Sequence, residues 1–149
     1  MSKADKAYET MASRRMNCAQ SVYTAFAEDL GMNQDLAMRV SQGFGGGMGH
    51  TGQTCGAVTG AYMALGLAQK FTTDNPRENI DKTYGLITEF NKKFQAMHKS
   101  LNCTELTGYD LSKPEEMVKA REKGVFATKC PVFVRDAVKI VEDLLNTSK

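Results

Sequence analysis

Tryptophan is absent from this 149-residue chain, and histidine and proline are scarce, at two and three residues. Charge bias is missing too: 19 Lys and Arg stand against 17 Asp and Glu, a net charge of +2. That balance gives no reason to expect a nucleic acid or an anionic membrane surface as partner. The longest nearly apolar run, Gly56 to Ala68, is far shorter than the roughly 20 residues a membrane-spanning helix needs. The N-terminal stretch MSKADKAYETMASRR is charged and lacks the apolar segment of a secretion signal. The cytoplasm is therefore the expected location. No Ser-His-Asp arrangement and no H-E-x-x-H motif is present, so hydrolase chemistry has no support. There is no C-x-x-C pair, which removes the thioredoxin and zinc-ribbon signatures.

Strand signals are also lacking: no alternating run and no hairpin turn separates two β-rich segments. Helix signals are frequent. Lys3 to Arg15 reads as an amphipathic helix. Asn17 is a cap for CAQSVYTAFAEDL, which stops at Gly31, and Asn33 opens DLAMRVSQGF. Thr54 is placed to cap CGAVTGAYMALGLAQKF. Pro76 stands at the start of a long helix whose Ile80, Tyr84, Ile87, Phe90, Phe94 and Met97 follow three-four spacing. Ser112 with Glu115 has the pattern of a capping box before PEEMVKAREKG. Pro131 opens VFVRDAVKIVEDLL. The expected fold is all-α, a single helical domain over residues 1–149 with about six to eight helices and a glycine-rich loop. Gly56, Gly60, Ala64 and Ala68 recur every four residues and form a smooth ridge. Such a ridge suits close helix packing, and it also suits a homodimer.

What the chain has in excess is glycine, concentrated in one place. Eight of the eighteen residues in GFGGGMGHTGQTCGAVTG, Gly43 to Gly60, are glycine. Such a run brings backbone close to something. GMGHTG matches G-x-G-x-x-G, yet a helix end precedes it and no βαβ unit follows, so the dinucleotide reading lacks its context. The run leads instead to a thiol, Cys55.

The four cysteines are Cys18, Cys55, Cys103 and Cys130. In a cytoplasmic chain permanent disulfides are not expected, which leaves core filler, metal ligands or redox groups. All four fall at predicted helix starts, where free amide donors and the helix dipole favour a thiolate. His50 in the glycine loop is a candidate ligand or proton donor near Cys55. His98 sits near the end of a helix, where it complements the dipole.

Cys18, the segment GFGGGMG, then TCGAVTG, then Cys103 in CTELTGYDL, then Cys130, resemble the C_GCAxxG_C_C family of redox-active proteins, over about residues 17–138. The family label writes Gly-Cys-Ala where this chain has Cys55-Gly56-Ala57. The resemblance implies a small, mostly helical bacterial or archaeal protein whose four cysteines carry redox function with a redox partner. Related domains joined to electron-transfer modules bring in an iron–sulfur cluster.

Three functions follow as expectations. The first is a redox protein whose four thiols converge, either as dithiol/disulfide pairs or as ligands of an iron–sulfur cluster or zinc. Gly45, Gly46, Gly47 and Gly49 would then shape the approach to Cys55, with His50 beside them. The second is a helical module that binds a small ligand or cofactor through the glycine loop, with structural cysteines. The third is an interaction protein with inert buried thiols.

Overall fold

The computed structural model describes residues 1–147. Among them are eight α-helices of five residues or more, two four-residue helical turns, and no β-strand beyond one isolated bridge between Thr54 and Asn102. In chain order they are α1 (Lys3–Ala12), α2 (Cys18–Ala27), α3 (Gln34–Ser41), the turn α4 (Gly45–Met48), α5 (Gly56–Ala68), α6 (Pro76–His98), α7 (Cys103–Thr107), α8 (Pro114–Glu122), the turn α9 (Val125–Thr128) and α10 (Cys130–Thr147).

Asparagine caps most of the starts, at Asn17 and Asn33 as the sequence placed them and at Asn75 where Thr73 or Asp74 was expected. Asn17, Asn33, Asn75 and Asn102 each accept a backbone N–H through the side-chain oxygen. At α2 the box is complete, since Gln20 also accepts from the Asn17 amide. Two further expectations fail here. Ser112 does not cap α8: its amide and hydroxyl turn back to Asp110, and Lys113 occupies the cap position ahead of Pro114. The cap position of α5 belongs to Cys55 rather than Thr54.

The core is one hydrophobic cluster built from α1, α2, α5, α6 and α10. The small-residue ridge of α5 lies within it. A Cβ on Gly60 would come 2.7 Å from the Ala19 carbonyl oxygen, so α2 crosses α5 at backbone contact. The ridge is occupied inside the chain, and a homodimer has no use of it. On α6 the predicted stripe holds only in part. Phe90 and Phe94 are fully buried, while Ile80, Tyr84 and Met97 are exposed. Among the described residues, no helix is long and apolar enough to cross a membrane.

Candidate functional site

Each of the four cysteines sits at a helix start: Cys18, Cys103 and Cys130 are the first residues of α2, α7 and α10, and Cys55 precedes α5. All four are free thiols, and all are buried. Backbone pairing joins two of them across 48 positions. The Cys55 amide donates to the Leu101 carbonyl at 2.8 Å, and the Cys103 amide donates to Gln53 at 2.6 Å. The start of α5 is thereby tied to the start of α7. Gly56 rests directly on the Cys18 sulfur, where a Cβ would overlap it. The start of α10 completes the group: all four cysteines line one cavity of about 280 Å³. A larger cleft of about 510 Å³, between α1, α2 and α3, is lined by Lys3, Glu28 and Asp29 and touches no cysteine.

The glycine run forms the lid of this cavity in an unusual way. Gly46, Gly47, Met48, Gly49 and His50 all have positive φ, between 64° and 71°. Five consecutive residues thus make a left-handed turn, closed by the Gly49 amide on the Gly45 carbonyl at 2.8 Å. L-residues avoid this conformation because Cβ crowds the following carbonyl, by roughly 1–2 kcal/mol each. Glycine escapes that crowding. It also lets the turn approach its neighbours. A Cβ on Gly45 would lie 2.6 Å from the Asn17 side chain, and one on Gly47 would lie 2.6 Å from both Cys103 Cβ and the Gln53 amide. The His50 ring covers Gly46. Gly45, Gly46, Gly49 and His50 line the cavity, and Gly47 wedges against Cys103. The loop therefore closes over Cys18 and Cys103 more than over Cys55, to which the sequence had assigned it.

Backbone amides surround one sulfur above the others. The N–H groups of Gly46, Ala19, Gly56 and Cys18 itself act on the Cys18 thiol and favour its anion. Burial works against them and pushes this thiol up. The other three are also raised, first by burial and then by the negative charge of Cys18; Cys103 reaches about 12. Arg14 and Lys129 act in the other direction on Cys130. The resting thiols are accordingly protonated at neutral pH, in a site that would hold negative charge only against a cation.

Three cavity residues carry no signal in the sequence. Arg14 follows α1 with φ of 63°, and its guanidinium lies over the Phe126 ring at 4.6 Å. Phe133 forms part of the wall and packs edge-on against His98 at 5.0 Å. His98 does not simply face the end of its helix: its Nε2 meets Asp136 Oδ2 at 2.8 Å, in a largely buried pair behind Phe133.

Four thiols are the donor set that soft metals and iron–sulfur clusters take. Among the described residues, however, no three Cys, His, Asp or Glu side chains are gathered as a group able to hold a metal ion. A tetrahedral zinc site needs its sulfurs within roughly 4 Å of one another, given bonds near 2.3 Å. A [4Fe–4S] cluster takes each thiolate at a separate iron and admits wider spacing around a roomy cavity.

Residues 16–144 match the family described as "Putative redox-active protein (C_GCAxxG_C_C)". The chain belongs to the C_GCAxxG_C_C family. The matched span contains the four cavity cysteines and the glycine turn of this C_GCAxxG_C_C protein. A relative from Archaeoglobus fulgidus, described as "Uncharacterized protein", is 29% identical over 160 residues, covering 100% of this chain and 99% of its own length. No solved structure matches the chain.

Proposed function

We propose that this C_GCAxxG_C_C protein is an electron-transfer protein in which Cys18, Cys55, Cys103 and Cys130 together hold an iron–sulfur centre. The observation that carries the reading is the meeting of four cysteine-bearing helix starts on one cavity. A bound cluster would supply one-electron redox chemistry. The chain's own part is physical. Four helix starts present their positive ends to a group of net negative charge. The amides of Gly46, Ala19 and Gly56 give the Cys18 sulfur hydrogen bonds, which raise the potential of a sulfur-ligated centre. The glycine turn with His50, and the Phe126 and Phe133 walls, limit access of water and oxygen.

A dithiol/disulfide cycle is the second reading. In its favour, no three donors among the described residues are gathered for a metal ion, and a disulfide needs only two sulfurs. Against it, burial raises all four thiols, and the protonated thiol is the unreactive form.

The test is iron and acid-labile sulfide content, with visible and EPR spectra, of protein purified without oxygen. Stoichiometric iron and sulfide, lost on Cys103→Ser or Cys130→Ser, are the expected result. Protein that holds neither iron nor sulfide, and takes up neither on reconstitution, would overturn the cluster. A two-electron redox titration with a small disulfide would then establish the second reading.

A further inference from the structure

The Arg14–Phe126 stack faces two ways. Inward, both residues line the cysteine cavity. Outward, both line a second hollow of about 300 Å³, completed by Arg121, Gly124 and Ala127. The stack is thus a shared wall between the thiols and the surface. The backbone shows what the chain gives up to place it. Arg14 follows the Ser13 cap of α1 with φ of 63°. Helices commonly end on glycine at this position, because a side chain there is strained. Glycine would suit the turn and leave the wall without its cation. Strain of this kind is kept where the residue serves a site.

The charge at this wall is of one sign. Arg14 and Arg121 are exposed. So is Lys129, whose Nζ donates to the carbonyl of the cavity residue Thr107 at 3.3 Å. None of the three has an ion pair among the described residues. No Asp or Glu lines the cavity or the hollow, although Glu122 adjoins Arg121 in the chain. Arg14 and Lys129 are both felt at Cys130, where they favour the thiolate. The one carboxylate that acts on a cavity thiol is Asp110, at Cys103, and its own partner is Ser112. In a chain of nearly balanced charge, unpaired cations gathered at the wall of one cavity complement an acidic surface.

We propose that the face around the Arg14–Phe126 stack docks an acidic electron-carrier protein, with Arg14 and Arg121 as its contacts and Lys129 adding to the attraction. That the partner carries electrons rests on the electron-transfer reading above; that its surface is acidic does not. The step is one electron: the reduced carrier is oxidised as the centre behind the wall is reduced.

Calorimetric titration of metal-free and iron-loaded protein tests it, with an acidic plant-type ferredoxin and a basic cytochrome c as probes. Ferredoxin binds both forms at low salt and is released as salt rises, and cytochrome c binds neither. Arg14→Glu, Arg121→Glu weakens ferredoxin by about tenfold or more. Lys70→Glu, Lys82→Glu makes the same change of charge beyond the far end of α5 and leaves binding within about twofold. Arg14→Gly, freed of left-handed strain, keeps the native melting temperature and still binds more weakly, which separates docking from folding. Ferredoxin that does not bind, binds regardless of salt, or responds equally to both double variants would overturn the proposal. Ferredoxin that binds as described but passes no electron to the loaded protein would leave the acidic docking face standing and overturn the carrier role.

Discussion

Gly47 shows how much the site depends on single atoms. Its φ is 69°, and any side chain there is strained before its surroundings are considered. The surroundings leave no room either. A Cβ would stand 2.6 Å from the Gln53 amide nitrogen, which is fixed by its bond to the Gly47 carbonyl, and 2.6 Å from Cys103 Cβ. Neither neighbour is the free end of a flexible side chain. Gly47→Ala is therefore expected to destabilise the protein by roughly 2–4 kcal/mol, combining left-handed strain with overpacking. Urea unfolding of the reduced protein measures this. Met48, next in the chain, has φ of 71° but is an exposed residue. Met48→Gly should leave stability unchanged or raise it by up to about 1 kcal/mol. Equal losses for the two variants would show that handedness is not what selects glycine in this turn. The sequence made the glycine excess visible at this scale. It could not make visible a left-handed turn, because handedness is settled by what the loop must approach: Asn17, Cys103 and the Cys18 sulfur.

At the scale of elements, the asparagine caps are not equivalent. Asn33 bonds only the Leu36 amide, at 3.1 Å, on an exposed helix end. Asn17 accepts from Gln20, and its amide group also donates to the Gln42 carbonyl at 2.8 Å, tying α2 to the segment before the glycine turn. Its side chain is wedged against Gly45, on the wall of the cavity. Asn33→Ala should cost about 1 kcal/mol, as for an ordinary cap. Asn17→Ala should cost more, about 2–3 kcal/mol, because a cap and a tertiary hydrogen bond are lost together. It should also speed alkylation of Cys18 by iodoacetamide, which Asn33→Ala should not do. Thermal unfolding and peptide mapping of the alkylated protein check both. Cap chemistry was legible in the sequence because it is local: an Asn followed three residues later by an amide in need of a partner. The α8 start was misread because Pro114 fixes the first helical position and leaves Ser112 one residue too early. The stripe of α6 was read with the right period but the wrong phase at its start: the buried face runs through Asn79, Phe90 and Phe94, and Ile80 stands one residue off it.

Over the whole molecule, the four cysteines are one electrostatic unit, although no two are closer than 27 positions in sequence. The Cys18 charge disfavours ionisation of Cys55, Cys103 and Cys130, and burial disfavours it for all four. Helix starts alone had suggested lowered thiols. That inference missed the desolvation of four groups sharing one cavity, which only the tertiary arrangement creates. The consequence for stability has a definite sign. An unfolded cysteine ionises near 9, whereas Cys103 in the folded chain ionises near 12 and its three companions are also raised. Between those pH values the folded state holds protons that the unfolded state has released. The thiols' contribution is thus fully present below pH 9 and is lost as pH rises, at about 1.4 kcal/mol per pH unit for each thiol. Reduced, metal-free protein should show a melting temperature that falls steeply above pH 9. Lysine and tyrosine titrate in the same region, so the decisive comparison is with Cys103→Ala, Cys130→Ala, which should show a shallower fall from a similar starting point. A double variant that falls as steeply as the native chain would mean that the folded thiols ionise normally. The cavity would then be wet and the sulfurs open to solvent, conditions that favour thiol–disulfide exchange over a sheltered cluster.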